Sequence, residues 1–370
     1  MSWIEDFAGS LTVEQQAALT AAIFAVAIAV AVGLTALAVG LKWSLIAWGA
    51  GVVVVVAAAL FLPVDTADLV AEPRPETTYE GALARFEAER AKTAAPLNPL
   101  CEPQILGHGR RTQKAVVLLH GVSSCPQAFV DFAPLLHAAG YNVLAARMPQ
   151  NGYADRSTDA LARLTAEDLQ TFGDTSVDIA AGLGEEVVVL GISAGGTVAA
   201  WIGQNRDVDR VVLVAPFFGL ANFGVRLNVA LMRVMLFLPP ISIWKDPVLR
   251  DRFEGMPHAY QRQSTRGTGE IMRLGLATYR QARERAPAAA QAAIVTNAAD
   301  TAVDNEVTRF FARAWIDRGM EVIAYEFDAG HKLGHELIDP LEPGSDPALT
   351  YPLLIGMIED PVAALAAARK

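Results

Sequence analysis

The chain has 370 residues, enough for one large α/β domain with an appendage, and its net charge of −10 with no basic tract excludes nucleic acid as a partner. Hydrophobic residues make up 52% of it, more than an ordinary water-soluble chain carries, which points to a membrane segment. The two cysteines, Cys101 and Cys125, are not spaced like a zinc site.

The N-terminal region supplies the apolar excess. Residues 17–41 form an uncharged stretch rich in Ala, Val, Ile and Leu, longer than the roughly 20 residues that cross a bilayer. Lys42-Trp43 interrupts it, and a second such stretch runs over 44–64, with Trp43 and Trp48 where interfacial aromatics belong. The start carries Glu5, Asp6 and Glu14 with no Lys or Arg, and both runs exceed the apolar core of a signal peptide. The pattern predicts a two-helix transmembrane hairpin over 1–65. Lys42 sits in its turn and acidic residues (Asp65, Asp68, Glu72) follow it, so the positive-inside rule places the remainder of the chain outside the cytoplasm. Residues 66–99 contain Pro73, Pro75, Pro96 and Pro99 and read as a linker around a short charged helix near 79–92.

From residue 100 to 370 the pattern changes to short apolar strands separated by helical stretches. Strands are expected at 116–121, 142–146, 187–192, 211–215, 293–297 and 321–327, and a helix at 161–181. That alternation predicts an α/β fold with a mostly parallel sheet and helices on both faces. An insert over 217–287 separates two of the strands. Its first part, 217–240, is nearly uncharged apart from Arg226 and Arg233 and suits either an acyl chain or a lipid face. A helix packed plainly onto the sheet fits it equally well.

The stretch Val187-Val188-Val189-Leu190-Gly191-Ile192-Ser193-Ala194-Gly195-Gly196 organises the domain. A bare Gly-x-Ser-x-Gly is weak in a chain with 29 glycines, and Ser193 could simply cap a helix. Here the pentapeptide follows a buried strand and opens a helical run, Thr197-Val198-Ala199-Ala200-Trp201-Ile202, the context of a nucleophile elbow. Strand and helix crowd at such a turn, which calls for Gly191 and Gly195. The amide of Ala194 then points at the place where an oxyanion would form.

With His120-Gly121 after an early strand, this elbow after a later one, and acid and histidine following in that order, the sequence resembles the α/β-hydrolase fold. More narrowly, Leu118-Leu119-His120-Gly121-Val122-Ser123-Ser124-Cys125-Pro126-Gln127 is similar to a loop of bacterial carboxylesterases and monoacylglycerol lipases. The resemblance covers about residues 100–362 and not the N-terminal hairpin. It implies a lid over 217–287, a structural role for His120, a second oxyanion donor in the amide of Val122, and no metal or organic cofactor.

The base and its acid follow from the same resemblance. His108 precedes the sheet, His137 lies in the helix after the His120 strand and His258 lies in the insert, leaving His331 and His335 after the last strand. His335, in His335-Glu336-Leu337-Ile338-Asp339, opens an apolar helical turn and matches the related esterases better. His331 lies closer to the strand end, as in many other hydrolases. Asp300-Thr301-Ala302-Val303 resembles the family's Asp-x-x-Val, which makes Asp300 the orienting carboxylate and leaves Asp304 as a cap for the helix after it. Asn151 departs from relatives that carry His-Gly in its loop. The expected activity is cleavage of hydrophobic, lipid-like carboxylic esters by Ser193, His335 and Asp300 through an acyl-enzyme. A thioesterase or amidase would use the same machinery, and a catalytically silent scaffold serving as a membrane-bound interaction module is the rival from another class. Cys101 and Cys125 either form one disulfide or stay as thiols, and an extracytoplasmic domain favours the bridge.

Overall fold

The computed structural model describes residues 40–61, 63–93, 95–252 and 255–368. Helix α1 (Leu41–Phe61) comes first and leaves Leu41, Trp43, Leu45, Ile46, Val52 and Val53 exposed. Most of the first expected span lies outside the described residues. Among the described residues no helix is long and apolar enough to cross a membrane, so the two-helix hairpin over 1–65 is not supported.

Residues 66–99, read as a linker, lie against the domain. Helix α2 (Tyr79–Ala91) is capped by Thr78, whose hydroxyl accepts from the Gly81 amide, and it buries Ala82 and Phe86. Leu69 is fully buried. Its carbonyl accepts from the indole N–H of the equally buried Trp201, so that large side chain enters the core with its polar atom satisfied.

The sheet begins with β1 (Gln104–Leu106) and β2 (Thr112–Leu119), followed by helix α3 (Phe132–Ala138) and β3 (Asn142–Ala146). Helix α4 (Ala166–Leu183) opens on a capping box formed by Thr165 and Asp168, which satisfies two amides that the first turn leaves orphaned. Then come β4 (Gly184–Ile192), α5 (Ala194–Asn205) and β5 (Arg210–Val214). The insert follows: α6 (Gly224–Phe237), β6 (Ser242–Trp244), β7 (Arg262–Ser264) and the long α7 (Thr265–Glu284). Strand β8 (Gln291–Asn297), α8 (Asn305–Ile316), β9 (Glu321–Phe327), α9 (Pro347–Glu359) and α10 (Pro361–Ala368) complete the chain. Helix α1 lies along α6, so part of its surface is covered by protein.

Seven strands form one sheet in the order β1-β3-β2-β4-β5-β8-β9, parallel except for the edge strand β1, while β6 and β7 pair separately in the insert. Alternate residues serve opposite faces, as the pleat requires. Val117 and Leu119 of β2 and Val189 of β4 join the core under α4, α5 and α7. Val116, Leu118, Val188 and Leu190 join the second core, under α3 and α9. Burial on both faces is why these strands read as unbroken apolar runs. The chain goes from β2 outward to β3, then returns past β2 to β4, so the strand order reverses between β2 and β4. In open α/β sheets ligands bind beyond the carboxyl ends of the strands at such a reversal.

Arg206, at the end of α5, pairs with Asp174 and Asp178 of α4, all three buried. The same carboxylates accept the amides of Glu72 and Arg74 at 2.8 and 3.1 Å, which fastens residues 72–74 to the helical layer. A buried cluster of this kind gains mainly by leaving no charge unpaired; removing one member would cost about 3–5 kcal/mol.

Candidate active site

Ser193 stands between β4 and α5 with φ 56° and ψ −120°, a conformation most side chains avoid. It is held from three sides. Its amide donates to Val214 O at 3.0 Å, and its carbonyl accepts from Phe217 N at 2.9 Å and Thr197 N at 3.1 Å. The flanking glycines are dictated by contact. A Cβ on Gly191 would lie 2.1 Å from Gly195 O, and one on Gly195 would lie 2.0 Å from Leu119 O. The turn is therefore wedged against the end of β2, and Ala194, as the first residue of α5, has an amide that no preceding helical turn can satisfy. Ser193 is 5% exposed.

At the end of β2, His120 is buried and neutral. Met148 N donates to its Nε2 at 2.9 Å, so the ring proton sits on Nδ1 and is donated to Gly121 O at 2.8 Å. Burial is the main reason its pKa falls to about 3, with the neighbouring Arg147 adding to it. His120 thus joins the ends of β2 and β3, a structural part. Val122 comes next, then Ser123 at φ 65°. The Ser123 amide donates to Asn151 Oδ1 at 2.7 Å, and its carbonyl accepts from Tyr260 N at 2.7 Å. Asn151 therefore fixes the loop that carries Val122, which is the role of the residue that departs from the related sequences.

His335 and Asp300 come together. His335 Nδ1 lies 2.7 Å from Asp300 Oδ2, and a carboxylate can only accept, so Nε2 is left as the basic nitrogen. The other oxygen of Asp300 accepts the amides of Ala302 and Val303 at 2.8 and 3.1 Å, which fixes the carboxylate plane. Burial opposes the charged form of His335, but the hydrogen bond and charge of Asp300 outweigh it, and its pKa is raised above the usual 6.5. Asp304 caps α8, as expected, accepting from Glu306 N and Val307 N. His331 is exposed on a short turn with its ring edge-on to Phe327. The helical turn expected after His335 is absent. Asn297 Nδ2 donates to the carbonyls of Leu333 and Gly334 just before it, Tyr351 Oη donates to the carbonyl of Ile338 at 2.8 Å, and Asp339 accepts the amide of Leu341 within the loop.

The insert is anchored beside this loop. His258 Nε2 donates to Asp339 Oδ2 at 2.8 Å, both side chains being buried. Tyr260 Oη donates to Gln150 O at 3.1 Å and accepts from Tyr153 N at 3.0 Å. Nothing in the sequence marked this pair, whose members are 81 residues apart.

Cys101 and Cys125 form a disulfide with a Cα–Cα distance of 5.3 Å across 24 residues. Gly152 packs onto it, where a Cβ would lie 2.8 Å from Cys101 Cβ. Closing a loop of that length restricts the unfolded chain by about 3 kcal/mol in the chain-entropy model. Reduction is expected to lower the melting temperature by about 6–12 °C, measured by thermal denaturation with and without dithiothreitol. An unchanged melting curve would show that the bridge adds nothing to the fold.

A reversal-point sheet carrying a strained serine elbow defines an α/β-hydrolase-type protein. The family model described as "Alpha/beta hydrolase family" matches residues 116–347, and the chain belongs to that family. No protein of curated function matches its sequence. Among solved structures it is similar to one of the metagenome-derived lipolytic enzymes LipS and LipT, at 16% identity and a TM-score of 0.50, covering 71% of this chain and 99% of that one. It is also similar to a soluble variant of the monoglyceride lipase of Saccharomyces cerevisiae solved with a substrate analogue, at 13% identity and a TM-score of 0.50, covering 71% and 92% of the two chains. At these identities the likeness shows the fold.

Proposed function

We propose that the protein is a serine hydrolase cleaving carboxylic esters of hydrophobic acyl groups, with Ser193 as nucleophile, His335 as base and Asp300 as its orienting acid. The observation that carries this reading is the His335–Asp300 pair at 2.7 Å, next to Glu336, whose carboxyl lies beside Gly121 as Ser193 Cβ does. Ser193 Oγ attacks the ester carbonyl carbon while its proton passes to His335 Nε2. The amides of Val122 and Ala194 receive the oxyanion, each contributing roughly 3 kcal/mol to the transition state. The imidazolium then protonates the departing alkoxide, leaving an acyl-enzyme. Water repeats the sequence, giving its proton to His335 and releasing the acid and free Ser193.

The preference for apolar acyl groups rests on the insert, which exposes Phe223, Leu227, Phe237, Leu238, Ile241 and Ile243 and whose helix α6 lies along α1. The same apolar surface, with the apolar run of 17–41 before it, supports attachment to a lipid bilayer, and the disulfide supports an extracytoplasmic domain. A fluorophosphonate probe tests the reading: mass spectrometry should find the label on Ser193. A folded protein that takes up no label would favour the catalytically silent scaffold instead. A panel of p-nitrophenyl esters and thioesters of rising chain length then separates esterase from thioesterase and fixes the acyl preference.

A further inference from the structure

Glu336 follows His335 directly and takes no part in the reaction written above. It is 9% exposed, and its Oε2 has no hydrogen-bond partner among the described residues. Its Oε1 lies 2.6 Å from the point where a Cβ on Gly121 would sit, and Ser193 Cβ lies 3.3 Å from that same point. The missing side chain of Gly121 therefore makes the berth for this carboxyl, between the end of β2 and the serine. Facing it are His335, Asp339 and Glu342 on its own loop and Lys245 from the insert, with Asp339 held by His258 of the insert. An unpartnered carboxyl in such a place needs a reason, since burying one without a hydrogen bond destabilises the fold.

We propose, on the serine-hydrolase reading given above, that Glu336 is a positioning residue: its carboxylate is a second negative group beside His335 that supports the imidazolium formed when Ser193 attacks. Burial comes first among the influences on it and, together with the charges of Asp339 and Glu342, outweighs the pull of His335 and Lys245, bringing its pKa up to about 7. Glu336 and His335 therefore titrate as a coupled pair. The proton balance is simple: the proton that Ser193 gives up rests on His335 Nε2, and Glu336 stabilises that charge without accepting the proton. Stability has the opposite sign. A carboxyl with a raised pKa holds its proton longer in the folded state, so its contribution is fully present below pH about 4.5 and is lost as pH rises through 7.

The test is Glu336→Gln, which keeps the shape and removes the charge. Without the carboxylate, the acid limb of the kcat/KM profile should move about 0.5–1 pH unit lower, because His335 loses a group that favours its protonated form. At the alkaline plateau kcat should fall roughly 3–10-fold with KM little changed, the pattern of an interaction made mainly in the transition state. Glu336→Asp, which keeps the charge, should leave the acid limb near its wild-type position. Melting temperatures add an independent readout and show that the variant folds: Gln should stabilise the protein at pH 8.5 and leave it unchanged at pH 5. An acid limb and plateau kcat that Glu336→Gln leaves in place, in a protein still labelled at Ser193, would overturn the proposal. Wild-type protein that takes no label at Ser193 would overturn the serine-hydrolase reading itself, a separate failure.

Discussion

Replacing Ser193 by alanine is expected to abolish ester hydrolysis, lowering kcat by about 10⁴–10⁶-fold, the size of loss seen when a triad nucleophile is removed. The fold should survive. The hydroxyl contributes little to either core, and the backbone bonds that hold the elbow, from the Ser193 amide to Val214 and from Phe217 and Thr197 to the Ser193 carbonyl, involve no side-chain atom of the serine. Alanine at φ 56° bears the same backbone strain as serine, so the melting temperature should stay within about 2 °C. Fluorophosphonate labelling should vanish with the activity. Retention of more than a tenth of the activity, in protein whose circular dichroism and melting are unchanged, would remove Ser193 from the mechanism.

The elbow is legible in the sequence because several signals agree on it. The strand before Ser193 is buried on both faces and so is written as an apolar run. Its flanking glycines are forced by contacts near 2 Å, leaving a trace in the sequence that no other residue type can replace. The six main parallel strands were visible for the same reason. Strand β1, of three residues, and the β6–β7 pair, whose residues Ser242-Ile243-Trp244 and Arg262-Gln263-Ser264 show no core-facing alternation, left no such trace. Asp300 and Asp304 were told apart by the likeness of Asp300-Thr301-Ala302-Val303 to the family's motif, and the structure shows Asp304 as the cap of α8 and Asp300 against His335. The His258–Asp339 pair was illegible since neither residue has a local pattern; only the folded chain brings the insert to the histidine loop. The helical turn expected after His335 failed for a related reason. Its apolar spacing fits a helix, but Tyr351 Oη claims the carbonyl of Ile338, and Leu337 and Ile338 are buried in the second core. Residues 66–99 have the prolines and charges of a linker, and what sequence could not convey is that Leu69 and Phe86 reach the core while residues 72–74 are bound to α4.

The two histidines of the last loop give the sharpest contrast between neighbouring residues. His335→Ala is expected to cost nearly as much as the serine change, about 10⁴–10⁶-fold in kcat, because nucleophile and base act as a unit. His331→Ala should stay within about threefold of wild type, since an exposed side chain on a turn has little to lose. The pH profile adds a second constraint. Only the form with a neutral His335 can accept the serine proton, so activity falls as pH drops through the pKa of that residue. Asp300 raises that pKa, which places the midpoint of the acid limb above 6.5. The same shift gives a stability contribution of the usual histidine sign, present below 6.5 and lost as pH rises through the folded-state value. Asp300→Asn should remove the charge and, with its amide oxygen kept by the amides of Ala302 and Val303, turn an N–H donor toward His335 Nδ1, moving the acid limb down while lowering kcat severely. Steady-state kinetics of the two histidine variants between pH 5 and 9 decide the assignment. If His331→Ala is the inactive one, the base lies nearer the end of β9, and the 2.7 Å contact between His335 and Asp300 serves the loop's structure alone.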